Sequence, residues 1–106
     1  MIHLENEHLS VIIHSQAARL QSVVDQSTGH EFISSPQQEV PNPAGSIYFP
    51  YLQGGQSHTY RYNQKDYQYF PYGFARVRDF HLQTQTDTSA TFYLKNQPED
   101  RSYYPF

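Results

Sequence analysis

Cysteine is absent from this 106-residue chain, which excludes a disulfide framework and any thiolate-bound zinc. That absence fits a reducing cytoplasm, the expected compartment. Basic residues are few: seven Lys and Arg lie scattered against ten Asp and Glu, for a net charge of −3 and a pI near 6.0. Nucleic-acid binding needs Lys and Arg clustered on one face, so that class of partner is excluded. No apolar run approaches the roughly 18 residues of a membrane span, and the N-terminus carries neither a basic nor a long apolar signal region. The expectation is a soluble protein with no nucleic-acid or membrane partner. Charged residues make up only 16% of the chain, against a usual quarter.

What the chain has instead is aromatic surface, with ten Tyr and seven Phe. Such residues favour strands, and they also favour contact with sugars or with other chains. The length fits one small domain, and a chain of this size buries only roughly 60–70% of its unfolded surface. A large enclosed core is therefore not assured.

Periodicity predicts strands throughout. Ile2-His3-Leu4-Glu5-Asn6 alternates apolar and polar residues, Leu9-Ser10-Val11-Ile12-Ile13-His14 is rich in branched side chains, and Leu20-Gln21-Ser22-Val23-Val24-Asp25 follows a bend of small residues. Gly29 stands where the turn after Asp25 most easily takes a positive φ, and Glu31-Phe32-Ile33 is expected to return as a strand. Pro36, Pro41, Pro43 and Gly45 make residues 34–46 a surface loop, because proline supplies no ladder donor. A second flexible turn is expected at Gln53-Gly54-Gly55-Gln56.

Two hairpins follow. Thr59-Tyr60-Arg61-Tyr62 and Lys65-Asp66-Tyr67-Gln68 flank Asn63-Gln64, in which Asn63 suits a primed turn and Gln64 is a poor second residue for one. Asp79-Phe80-His81-Leu82-Gln83-Thr84-Gln85-Thr86 and Ala90-Thr91-Phe92-Tyr93-Leu94-Lys95 are joined by Asp87-Thr88-Ser89. No segment carries a sustained apolar helical stripe, so the predicted class is all-β with antiparallel hairpins.

The order of these segments, with Glu5-Asn6-Glu7-His8-Leu9-Ser10-Val11, Ala18-Arg19-Leu20-Gln21-Ser22-Val23, Tyr48-Phe49-Pro50, Gly73-Phe74-Ala75-Arg76 and Tyr104-Pro105-Phe106, resembles the N-terminal part of the aldose 1-epimerase (galactose mutarotase-like) family. The resemblance implies an antiparallel β-sandwich, of which residues 1–106 are a single partial domain, and a place in carbohydrate metabolism with an aldose monosaccharide as ligand. It also implies a reaction in which a carboxylate removes the anomeric hydroxyl proton and a His protonates the ring oxygen. No metal or organic cofactor is required.

Carried over residue by residue, the family's chemistry is incomplete. The early sugar-binding Arg falls near Gly54, and the His that precedes Gly-Phe-Ala-Arg is replaced by Tyr72. A Tyr can hydrogen-bond or stack on a sugar but is no acid near pH 7, with a reference pKa of about 10. The resemblance places the catalytic His and Glu beyond Phe106, so no catalytic residue is assigned here and the activity is expected to be lost from these residues. Tyr69, Tyr72 and Arg76 are the candidate substrate-binding residues.

Other groups have plainer readings. His3, His8, His14, His30, His58 and His81 show no spacing that suits a metal, and Glu99-Asp100 beside Pro98 reads as the cap of a solvated turn. Tyr60, Tyr62, Tyr67, Tyr69 and Tyr72 form either a platform for sugar rings or one packed face of a hairpin with hydroxyls in water; the second is favoured, because a hairpin must bury something. Arg76 and Arg78 are expected to pair with Asp79 or a neighbouring strand. A partial sandwich leaves open edges and an apolar face, so a homo-oligomer in which one copy covers another is expected.

Overall fold

A computed structural model of the chain describes residues 1–33, 47–50, 59–68 and 73–105. In these residues the strands are β1 (Ile2–Glu5), β2 (Leu9–His14), β3 (Arg19–Asp25), β4 (Thr59–Tyr62), β5 (Lys65–Gln68), β6 (His81–Gln85) and β7 (Ala90–Tyr93). All their pairings are antiparallel. Short 3₁₀ turns at Ala75–Val77 and Pro98–Ser102 complete an all-β fold. Among the described residues no helix is long and apolar enough to cross a membrane. The loop expected at 34–46, the turn at 53–56, and His58 lie outside the described residues.

β1, β2 and β3 form one sheet in sequential order. Its register sets Ile2 against Ile13, Leu4 against Val11, and Val11 against Val23, so these five residues share one face, while Ile12 and Val24 lie on the other. The β1–β2 turn is held by Asn6, whose side-chain oxygen accepts the N–H groups of His8 and Leu9 at 2.8 and 2.7 Å. Ala17 and Ala18 turn the chain between β2 and β3 with φ of 64° and 44°. Ala17 is fully buried there and donates its N–H to the Arg78 carbonyl at 2.6 Å.

After β3, Gly29 takes the expected positive φ, 75°. Glu31 then makes only a single bridge to Val24 rather than opening a strand. The reason lies in its side chain: the carboxylate accepts the Val23 and Ile33 amides at 2.8 and 2.9 Å and the Ser22 hydroxyl. An amide that a longer strand would have paired with a carbonyl is taken by a carboxylate instead.

The β4–β5 and β6–β7 hairpins are separate two-stranded sheets. In the first, Asn63 and Gln64 both take left-handed conformations, φ 54° and 66°, so the primed turn forms despite Gln64. Tyr60 and Tyr67 stack across the strands with ring centroids 5.5 Å apart. The Tyr60 hydroxyl donates to the Tyr103 carbonyl, not to water as expected for the hairpin tyrosines. The second hairpin is shorter than its alternation predicts, because Asp79 bridges Gln16 and Phe80 donates to the Ser15 carbonyl at 2.9 Å. Those bonds fasten the foot of the hairpin to the β2–β3 connection, and Glu5 N–H to the Asp87 carbonyl at 2.8 Å fastens its tip.

Little of this is enclosed. The buried apolar residues among those described are Ala17, Phe74 and Ala75, joined by two buried charged residues, Arg19 and Asp100. The chain extends 56 × 28 × 19 Å with a radius of gyration of 16.5 Å, against about 13 Å for a compact domain of this length.

Candidate functional site

Gly73-Phe74-Ala75-Arg76 is built on backbone contact. Gly73 has a φ of 78°, and a Cβ there would stand 2.0 Å from the Phe49 carbonyl oxygen and 2.2 Å from its carbon. Only glycine permits that approach. Ala75 then donates its N–H to the same Phe49 oxygen at 3.1 Å. Phe74 is buried, its ring 6.4 Å from that of Tyr103 and 5.3 Å from the Arg78 guanidinium.

Asp100 closes the other side of this cluster, and here one expectation holds in part and another is corrected. Asp100 caps the Pro98–Ser102 turn, and Pro98, Glu99, Arg101 and Ser102 are exposed as a solvated turn requires, but Asp100 itself is only 1% exposed. One carboxylate oxygen accepts the Gln97 N–H at 2.8 Å and the other accepts Arg78 Nη2. Arg78 therefore pairs with Asp100 rather than with Asp79, because a carboxylate removed from water requires a cation and strong donors. Asp79 is left exposed, its backbone bridging Gln16.

Between these pieces lies an apolar groove of about 380 Å³. Phe49, Phe74, Ala75, Phe80, Leu94 and Tyr104 line it, with Lys95 and Asn96 as polar members. Tyr104 presents its ring to Phe49 in a T-shaped contact at 6.1 Å. Sequence reasoning did not assemble this groove, since Phe49, Phe80 and Leu94 belong to three separate segments. The one signal available was Ile47-Tyr48-Phe49, a consecutive apolar run with no alternation.

Of the candidate substrate-binding residues, Tyr69 and Tyr72 lie outside the described residues, as does Gly54. Arg76 is half-buried in the 3₁₀ turn, beside groove-lining Ala75 but not itself in the groove. Tyr60 and Tyr67 are committed to cross-strand stacking. The histidines are dispersed: His3 bonds Ser10 Oγ at 2.8 Å, His14 Nδ1 accepts the Gln16 N–H at 3.2 Å, and His81 stacks on Tyr93 at 5.2 Å. Among the described residues no three His, Asp or Glu side chains gather as a metal site.

The carboxylates with displaced pKa values lie elsewhere. Asp25 is lowered chiefly by the Ser27 hydroxyl, with the Ser27 N–H adding to it. For Glu31 partial burial pushes upward, but the donors Ser22, Val23 and Ile33 outweigh it and the net displacement is downward. Both are thus held ionised by structural hydrogen bonds, the reverse of what a general acid needs.

No protein-family profile and no curated protein matches the chain. Solved structures do. A galactose mutarotase-like protein from Lactobacillus casei matches all of this chain over 36% of its own, with a TM-score of 0.87 at 29% identity. A galactose mutarotase related enzyme from Lactobacillus acidophilus matches 99% of the chain over 35% of its own, with a TM-score of 0.83 at 33% identity. A Synechocystis protein, 19% identical and covered over 40%, shares the fold with a TM-score of 0.78. The fold is therefore that of a partial galactose mutarotase-like β-structure. The chain resembles these proteins over 35–40% of their length, in keeping with the resemblance to the N-terminal part of that family.

Proposed function

We propose that the chain is an aldose 1-epimerase-like polypeptide of carbohydrate metabolism that contributes to aldose binding, and that these 106 residues alone do not catalyse mutarotation. The likeness to two galactose mutarotase-like proteins at 29% and 33% identity supports the first part. One observation carries the second: the described groove-lining residues include no carboxylate and no imidazole. Anomer interconversion by general acid–base catalysis needs a base for the anomeric hydroxyl and an acid for the ring oxygen. The groove's polar members, Lys95 and Asn96, supply neither of these groups. Tyr69, Tyr72 and Arg76 are assigned to sugar contact, Arg76 by its place one residue beyond groove-lining Ala75.

The test is polarimetric. Freshly dissolved α-D-glucose and α-D-galactose should relax at the buffer rate with the unmodified chain and with Tyr72→His alike, and acceleration by the unmodified chain would overturn the inactivity. For binding, NMR titration with the same sugars should shift the amide signals of Gly73 to Arg76, and unmoved signals at high sugar concentration would remove the aldose reading.

A further inference from the structure

The connection between β2 and β3 is strained. Ala17 and Ala18 both stand in the left-handed region, at φ 64° and 44°, where a Cβ crowds the following carbonyl oxygen. Such backbone persists only where the bonds around it over-determine it. Here the Ser15 carbonyl accepts the Ala18 N–H at 3.1 Å and the Phe80 N–H at 2.9 Å, and Ala17 donates to the Arg78 carbonyl at 2.6 Å. The Phe80 and Ala17 bonds are the pair that sets Gln16 opposite Asp79 and joins the β1–β3 sheet to the segment carrying groove-lining Phe80. They leave the Gln16 N–H unused, and it donates to His14 Nδ1 at 3.2 Å. A titratable ring therefore supports the strained connection from within.

We propose that His14 is a pH-sensitive latch: as a neutral imidazole it holds Gln16 in place, and on protonation it loosens the junction between the β1–β3 sheet and residues 78–80. A ring nitrogen that accepts a hydrogen bond carries no proton, so the neutral ring bears its hydrogen on Nε2; in the imidazolium both nitrogens donate. Nδ1–H would then face the Gln16 N–H, donor against donor. Histidine is the side chain whose charge ordinarily changes between about pH 5 and 8, so the bond belongs to the upper end of that window and is lost toward the lower. The surrounding charges do not replace it. Opposite His14 in β3 stands Arg19, a cation only 2% exposed, and the Met1 amine is a second cation at that end of the sheet, since Ile2 pairs with Ile13. β1 sets His3 and Glu5 on the same face as His14, but His3 Nε2 lies 2.8 Å from Ser10 Oγ and 3.6 Å from Glu5 Oε2. The facing segment brings Arg78, taken by Asp100, and Asp79, which is exposed. Among the described residues no carboxylate pairs with His14, so protonation gains no ion pair to offset the lost bond.

The test is NMR on the whole chain between about pH 8 and about pH 5, a range above that in which ordinary carboxylates titrate. Imidazole nitrogen shifts report the His14 tautomer, and amide exchange is expressed as protection relative to an unstructured peptide at the same pH, which removes the intrinsic pH dependence. At the upper end His14 should carry its proton on Nε2 with Nδ1 bare. Protection of the Ala17 and Phe80 amides should fall about fivefold across the range, the scale of one hydrogen bond, in step with the His14 shifts, while the β4–β5 hairpin, which contains no His, keeps its protection. His14→Asn puts Oδ1, an acceptor that does not titrate, where Nδ1 stands, and its protection should be the same at both ends. His3→Gln should leave the fall in place. The inference is overturned by Nδ1 bearing the proton at the upper end, by protection independent of pH in the unmodified chain, by an equal fall in His14→Asn, or by a fall that His3→Gln abolishes.

Discussion

Arg78 donates from Nη2 to the buried carboxylate of Asp100, across 22 positions of sequence. The pair ties the turn after Gly73-Phe74-Ala75-Arg76 to the turn at Pro98–Ser102, and Asp100 also holds the Gln97 N–H at 2.8 Å. Removing the cation leaves a carboxylate 1% exposed with one amide as compensation, a loss of roughly 3–5 kcal/mol. Arg19 makes the opposite case. It is 2% exposed, its Nη2 bonds Gln21 at 2.7 Å, and its Nε and Nη1 have no acceptor among the described residues. Arg78→Met should lower the urea midpoint sharply, while Arg19→Met should leave it unchanged or raise it, since an incompletely satisfied buried cation costs more than the apolar side chain that replaces it.

Gly73→Ala should be severe for a different reason. The added methyl meets the Phe49 carbonyl at 2.0 Å, and alanine at a φ of 78° adds strain. Backbone must move, and the groove with it, because Ala75 hangs from the same carbonyl. A loss of about 3 kcal/mol is expected in urea denaturation, with a changed Phe74 and Phe49 environment by NMR. Gly29→Ala is the control: its Cβ meets nothing within 4 Å, although its φ of 75° still imposes strain, so the cost should be smaller and the groove unaltered.

These contacts mark the limit of what could be read along the chain. The bounds of Leu9–His14 follow from its branched residues, and those of Thr59–Tyr62 and Lys65–Gln68 from the Asn63-Gln64 turn they flank, signals confined to each segment. β6 starts two residues later than its pattern, because Asp79 and Phe80 pair with Gln16 and Ser15 more than sixty positions away. Asp100 looks like a surface residue beside Pro98 until Arg78 is brought to it. The groove escaped for the same reason: its walls come from Phe49, Phe74, Phe80, Leu94 and Tyr104, which only the fold gathers. Gly73-Phe74-Ala75 was legible as a signature, and its physical cause is the Phe49 backbone.

Stability should fall in acid, with Glu31 as a principal contributor. A carboxylate whose folded pKa lies below its unfolded one favours folding wherever it is ionised. Asp25 and Glu31 are both lowered, from ordinary values of 3.8 and 4.5, so their contribution is complete above those values. It is lost as pH falls through them toward the folded values. Urea midpoints measured from pH 6 down should therefore drop most steeply below about pH 4.5. Glu31→Gln should flatten that drop and lower the neutral-pH midpoint, since its one oxygen can still accept the Val23 and Ile33 amides while the NH2 that replaces Oε2 accepts nothing from Ser22.

The β4–β5 turn offers a stabilising change. Asn63 and Gln64 both stand in the left-handed region, at φ 54° and 66°, where Asn is tolerated and Gln carries a steric penalty of about 1 kcal/mol. Asn-Gly is the strongest two-residue signal for this turn. Gln64 is exposed and its backbone already has the conformation glycine prefers, so Gln64→Gly removes strain without disturbing packing. Part of the gain is offset by the freedom glycine adds to the unfolded chain, leaving a net of about 0.5 kcal/mol. Hydrogen exchange at Thr59–Tyr62 and Lys65–Gln68 should slow in the variant, while exchange in β1–β3 stays as it was. Faster exchange in the hairpin would show that the Tyr60–Tyr67 stack and the Tyr60 bond to Tyr103, rather than the turn, set its stability.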